Sequence, residues 1–124
     1  MGHPMHVVFL NSRHAEVSPV VHCHWGGDAC LRDLQRVIQE TRTFGASEMA
    51  LDLAIRWSLE YGKHSVAIFN LNPSGLADGM SEAQLYQAAL AFVRAKVEAD
   101  QEWTLVEIPE FRAIHKSGVW TLTE

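Results

Sequence analysis

The spacing of apolar residues changes from strand to helix period at Gly26-Gly27-Asp28, and that change limits the fold more than any other feature. Before Gly26-Gly27-Asp28 the apolar residues come in runs of strand length: Met5 to Leu10 (MHVVFL) and, after Pro19, Val20 to Trp25 (VVHCHW). Val and Phe fit a pleated surface, and each run stops at turn residues, Asn11-Ser12-Arg13-His14 and Gly26-Gly27-Asp28. The short connection between the runs suits a hairpin with a modest loop. From Asp28 onward the repeat is helical. Cys30, Leu31, Leu34, Val37 and Ile38 share one face, with Arg32, Asp33, Arg36 and Glu40 on the other side. Asp28 stands where an N-cap or first-turn acid satisfies free amides, and Phe44-Gly45 is the expected stop.

Ser47 is expected to cap a second helix, with Glu48 and Asp52 near its positive end. Its apolar positions are Met49, Ala50, Leu51, Leu53, Ala54, Ile55, Trp57, Leu59 and Tyr61. That stripe is too wide for one buried face, which predicts a central helix covered on more than one side and ended by Gly62. Ser65 to Leu71 (SVAIFNL) is strand-like, and Asn72-Pro73-Ser74-Gly75 with Asp78-Gly79 carries turn chemistry. Ser81 and Gln84 match an S-x-x-Q capping box before a helix bearing Leu85, Ala89, Phe92, Val93 and Val97, ending near Asp100. Strands are expected at Trp103 to Ile108, Phe111 to His115 and Val119 to Leu122, separated by Pro109-Glu110 and Lys116-Ser117-Gly118. The order is ββααβαβββ. It predicts one α+β domain over residues 1–124: a mainly antiparallel sheet of about five to six strands, with two to three helices packed on one face.

Composition narrows the function classes. Hydrophobic residues make up 48% of the chain, and four Trp, five Phe and two Tyr supply bulk for a core without disulfide staples. The formal net charge is −5 and the ten basic residues are scattered, which argues against nucleic-acid binding, where Lys and Arg supply most of the affinity. An acidic surface suits a protein partner better. Two cysteines, Cys23 and Cys30, are too few for a secreted disulfide scaffold, and Met1 to His6 lacks the pattern of a signal segment. No apolar stretch approaches the ~18 residues of a membrane span. The expectation is a cytoplasmic protein with free thiols and no membrane association.

The densest run of reactive side chains is His22-Cys23-His24-Trp25-Gly26-Gly27-Asp28-Ala29-Cys30. On a strand, His22 and His24 project to one side and Cys23 and Trp25 to the other. Two imidazoles so placed could grip a transition metal, with His6, His14, Asp28 or Cys30 as a third ligand. The competing assignment makes one histidine a sheet-edge residue and the other a hydrogen-bonding group in a half-buried face. Cys23 fits a small buried hydrophobe, and Cys30 fits the core by its spacing, although a helix start lowers a thiol pKa. Gly26-Gly27 between strand and helix fits a tight turn better than a phosphate loop, which needs a longer signature. No nucleophile elbow, P-loop, H-E-x-x-H or dinucleotide fingerprint is present in the sequence. His24, Trp25, Gly26, Gly27 and Asp28 remain as a candidate functional surface.

His24-Trp25-Gly26-Gly27 also carries a likeness. The segment resembles small uncharacterised phage and prophage proteins with an H-W-(D/G)-G motif at the end of an early strand. In those proteins a helix follows, then an Ala-rich helix opening with an acidic residue, then terminal strands. Here these correspond to Leu31 to Thr43, Ser47 to Tyr61, and the strands Trp103 to Ile108 and Val119 to Leu122. Gly26 stands where Asp is usual, and Ser81 to Asp100 looks like an insertion. The resemblance implies a mobile-element setting and no particular activity. Three functions follow as expectations. The first is a non-enzymatic accessory protein that binds another protein. The second is a metal-dependent hydrolase using His22 and His24. The third is a structural element that forms a homodimer through open strand edges.

Overall fold

Strand β1 (Met5–Asn11) lies in the middle of the sheet and is buried along nearly its whole length. The computed structural model describes residues 3–41, 45–71 and 79–123. After β1 come β2 (Glu16–Val17), β3 (Val20–Cys23), α1 (Cys30–Glu40), α2 (Ala46–Tyr61), β4 (Val66–Phe69), α3 (Glu82–Ala99), β5 (Trp103–Ile108), β6 (Arg112–His115) and β7 (Gly118–Thr121). This is the expected order with a two-residue β2 added. The turn at Asn72 to Asp78 and the helix stop at Phe44 lie outside the described residues.

The strands form one mixed sheet in the order β4-β3-β1-β5-β6-β7, with β2 pairing β1 beside that path. The fold is α+β and the pairing mostly antiparallel; β1 and β5 run parallel, from His6 opposite Trp103 to Asn11 opposite Ile108. The first two predicted strands do pair as a hairpin, with His6 opposite His22.

The helices do not share one face. Val7 and Phe9 of β1 pack with Leu34, Ile38, Met49, Leu53 and Trp57 of α1 and α2, whereas Val8 and Leu10 pack with Tyr86, Val93 and Val97 of α3. Successive side chains of a strand point to opposite faces, so α3 covers the side of the sheet that α1 and α2 leave. The physical reason is visible in β1 and β5. β5 is buried throughout and β1 at every position but His6, as central strands covered on both faces must be.

Local rules account for the helix starts unevenly. The Ser81–Gln84 capping box forms in both directions. For α2 the N-cap is Gly45, and the acceptor for the Ala46 amide is the Glu16 carboxylate at 2.6 Å, so Ser47 does not cap the helix. A carboxylate from β2 serves both the free amides and the positive end of the helix. Among the described residues, no helix is long and apolar enough to cross a membrane.

Candidate functional site

The His-rich segment splits into three environments. β3 ends at Cys23, two residues before the expected end, because Gly26–Ala29 forms a 3-10 turn leading into α1. His24 and Trp25 therefore leave the strand and lie exposed, ring edge to face at 4.9 Å. His22 remains in the ladder and meets His6, ring centroids 4.4 Å apart. His6 in turn stacks on Trp103 at 4.8 Å and faces the edge of Phe69.

Of the proposed metal ligands, the fold thus joins His22 with His6 and separates His24. Cys30 packs with Cys23 among the α1 and α2 residues, on the opposite side of the sheet from His22, and His14 lies beyond the far end of β1. Asp28 is exposed and pairs with His3 at 3.4 Å. Among the described residues there is no group of three or more His, Cys, Asp or Glu placed to hold a metal, and two imidazoles are fewer than the three protein ligands of a catalytic zinc.

The His6–His22 pair has its own character. The Nδ1 atoms of both rings are buried with no hydrogen-bond partner. Burial lowers the pKa of each imidazole, and for His22 the neighbouring His6 lowers it further; Glu102 acts in the other direction on both. Both rings are thereby held neutral, as packing elements under α3. Burial also disfavours the thiolates: it raises Cys23 and pushes Cys30 up to about 12.

Gly26 and Gly27 are required by close approach. A Cβ at Gly26 would lie 2.9 Å from the Trp57 ring, and one at Gly27 would lie 2.6 Å from the His3 carbonyl, which the Gly27 amide already bonds. Trp57 is fully buried and donates from its indole nitrogen to Asp33 at 2.9 Å. Asp33 belongs to this core rather than to the solvated helix side expected for it: it is 3% exposed and also accepts from Arg32, which bridges onward to Glu60. The α1 periodicity gave no sign of this, since the partner lies on another helix. The Gly-Gly turn thus seats α1 against α2.

The comparisons place nothing beside this chain. No family model, no curated protein and no solved structure matches it.

What the fold leaves open is apolar. Met49, Ala50, Leu53, Ala54 and Trp57 bury one side of α2, but Leu51, Ile55 and Leu59 are 54%, 50% and 84% exposed. The wide stripe of α2 is therefore covered on one side only. Spaced by four residues, the three exposed side chains form a row along the helix. The row continues across a groove of about 420 Å³ onto Val66 and Ile68 of β4. Ile68 and Phe69 are also exposed, and β4 is the last strand on its side of the sheet. Its outer edge carries no strand among the described residues. Natural edge strands are blunted by charge, proline or a bulge; Val66-Ala67-Ile68-Phe69 has no charged residue and no proline.

A larger hollow of about 610 Å³ lies at the carboxyl ends of β1 and β5, lined by Asn11, Arg13, His14 and Phe111 among others. Ala15 and Phe111 nearby hold positive φ values of 50° and 53°. Strain of that kind gathers at functional places, but among the described residues no nucleophile with an adjacent base lines this hollow. The α2–β4 face is the stronger candidate.

Proposed function

We propose that this chain is a non-enzymatic accessory domain that works by binding protein through the α2–β4 face. The observation that carries this reading is the union, on one surface, of an exposed apolar row and a strand edge that no other strand pairs among the described residues. An open edge offers backbone hydrogen bonds to an incoming strand, and the adjoining Leu51-Ile55-Leu59 row offers the apolar contact that makes such pairing stable. Contiguous apolar surface of this extent marks interaction sites on folded proteins. The likeness of His24-Trp25-Gly26-Gly27 to phage and prophage proteins adds the setting, a mobile-element protein acting on or with other proteins. Free, buried thiols fit a reducing cytoplasm.

A photo-crosslinking residue placed at Leu59 or Ile55, with Lys116 as the control position, tests this in cells. Covalent protein adducts from positions 55 and 59, and none from 116, are the expected result. Equal labelling from all three, or none from the first two, would contradict it. Turnover of esters or phosphoesters by the purified chain would replace it with an enzymatic function.

A further inference from the structure

We propose that the chain covering the α2–β4 face is a second copy of this protein, paired edge to edge through β4 about a two-fold axis perpendicular to the sheet. The proposal rests on the binding reading above and names the partner.

Strand chemistry comes first. Antiparallel pairing of a strand with its own copy is what a two-fold axis perpendicular to the sheet produces, and such self-complementary contacts are the commonest in homo-oligomers. The rotation keeps both α2 helices on the same side of the joined sheet. Leu51, Ile55 and Leu59 of one copy then face the same row of the other, while Val66 and Ile68 close the groove between them. One operation satisfies the open edge and covers the apolar row.

Charge separates a copy from a basic partner, which a chain of net charge −5 would otherwise attract. None of Leu51, Ala54, Ile55, Ser58, Leu59, Val66 and Ile68, which line the groove, is charged. The carboxylates of α2 are already engaged, Asp52 by Arg56 at 3.0 Å and Glu60 by Arg32 at 2.9 Å, and Glu48, one turn before Leu51, also has a partner. A basic surface has nothing to hold here, and two acidic copies meet without like charges in contact.

Area agrees. Leu51, Ile55, Leu59 and Ile68, each roughly half exposed or more, together offer on the order of 400 Å² of apolar surface. With the β4 backbone and a polar rim this approaches the ~800 Å² per partner of a standard interface.

Sedimentation equilibrium of the full chain tests the proposal, comparing wild type with Ile55→Glu, Leu59→Glu and, at the opposite sheet edge, Val119→Glu. The wild type is expected to form a reversible dimer of 13.9 kDa chains. Each α2 substitution is expected to weaken it by at least about 30-fold, as loss of a central apolar anchor does, and Val119→Glu to leave it unchanged. In the same dimer, Ala67→Cys or Ile68→Cys, next to the axis, is expected to form an intermolecular disulfide, free of interference from the buried Cys23 and Cys30. A dimer in which neither cysteine crosslinks would overturn the two-fold pairing. A wild type that stays monomeric while position 59 crosslinks a different protein would overturn the second copy and leave the binding function standing. A dimer indifferent to both α2 charges would remove the face from both.

Discussion

At one edge of the sheet, β7 is tied down from within the molecule. The Gln35 side chain of α1 donates to the Thr123 carbonyl and accepts from the Thr123 amide, and the Leu122 amide bonds the Phe111 carbonyl. Trp120 stacks on His115, whose ring also engages Ser117 and the Gln101 carbonyl. At the other edge, β4 has β3 on one side and, among the described residues, no strand on the other. Both edges are short, and both expose an apolar side chain, Val119 at 59% and Ile68 at 47%. What separates them is the neighbourhood. Val119 lies opposite Ile114, which packs on the α3-side core, whereas Ile68 continues into the exposed α2 row. Edges are hazards unless paired, covered or charged, so an edge left open beside an apolar row is a surface that expects company.

The contrast also runs through α2 itself, whose inner side is core and whose outer side is bare. Trp57→Ala on the inner side is expected to cost about 3–5 kcal/mol, through the cavity left and the Asp33 carboxylate deprived of its donor. Urea denaturation measures this, and a loss below about 1 kcal/mol would mean that the α1–α2 seam is not the core described.

Next in size is an acid response of the strands that carry β4. His6 and His22 take up protons less readily folded than free, where the ordinary value is 6.5. The folded state therefore binds fewer protons, so stability is at its full level above pH 6.5 and falls as the pH drops below it. Glu102 and Asp100 oppose this shift at His6, Lys96 adds to it, and His24 adds to it at His22. Thermal melting between pH 7.5 and 5 is expected to show the decline, and a His6→Phe/His22→Phe variant a flatter profile. An identical slope in both proteins would contradict the neutral-pair assignment.

At the closed edge, Gln35→Ala removes both bonds to Thr123 and is expected to cost about 1 kcal/mol and to speed amide exchange in β7. At the open edge, Leu59→Glu is expected to change the stability of the isolated chain by less than about 0.5 kcal/mol, because the side chain is 84% exposed. A large loss there would mean that Leu59 serves the core after all, and the comparison between the two sides of α2 would fail.

Much of the fold was legible in the residues because local rules and burial agree. The strand–turn–helix switch, the Ser81–Gln84 box and the terminal strands follow from period and turn chemistry. The placement of α3 was legible too, but only in a signal easily passed over. Four successive apolar residues in MHVVFL point to a strand covered twice, hence helices on both faces, and the full burial of β5, with Thr104 and Glu107 in it, is known from the structure alone. The site was harder. Histidine, cysteine and paired glycines attract chemical interpretations because of what they can do, yet His22 is packed against His6 and Gly26 against Trp57. Asp33 reads as a surface acid until its partner arrives from a helix more than twenty residues away. Leu51, Ile55 and Leu59 carry the opposite ambiguity: the outer part of a wide apolar stripe is either buried within its own chain or against another, and periodicity cannot distinguish the two.

Hydrogen exchange of the backbone amides, read strand by strand at low and high protein concentration, puts the two edges in one experiment. If β4 and the outer row of α2 are where this protein meets another chain, amides of Val66–Phe69 gain protection as concentration rises, while those of Gly118–Thr121 do not change. Protection gained at Gly118–Thr121 with β4 unaltered, or no change at either edge at any concentration, would contradict the account.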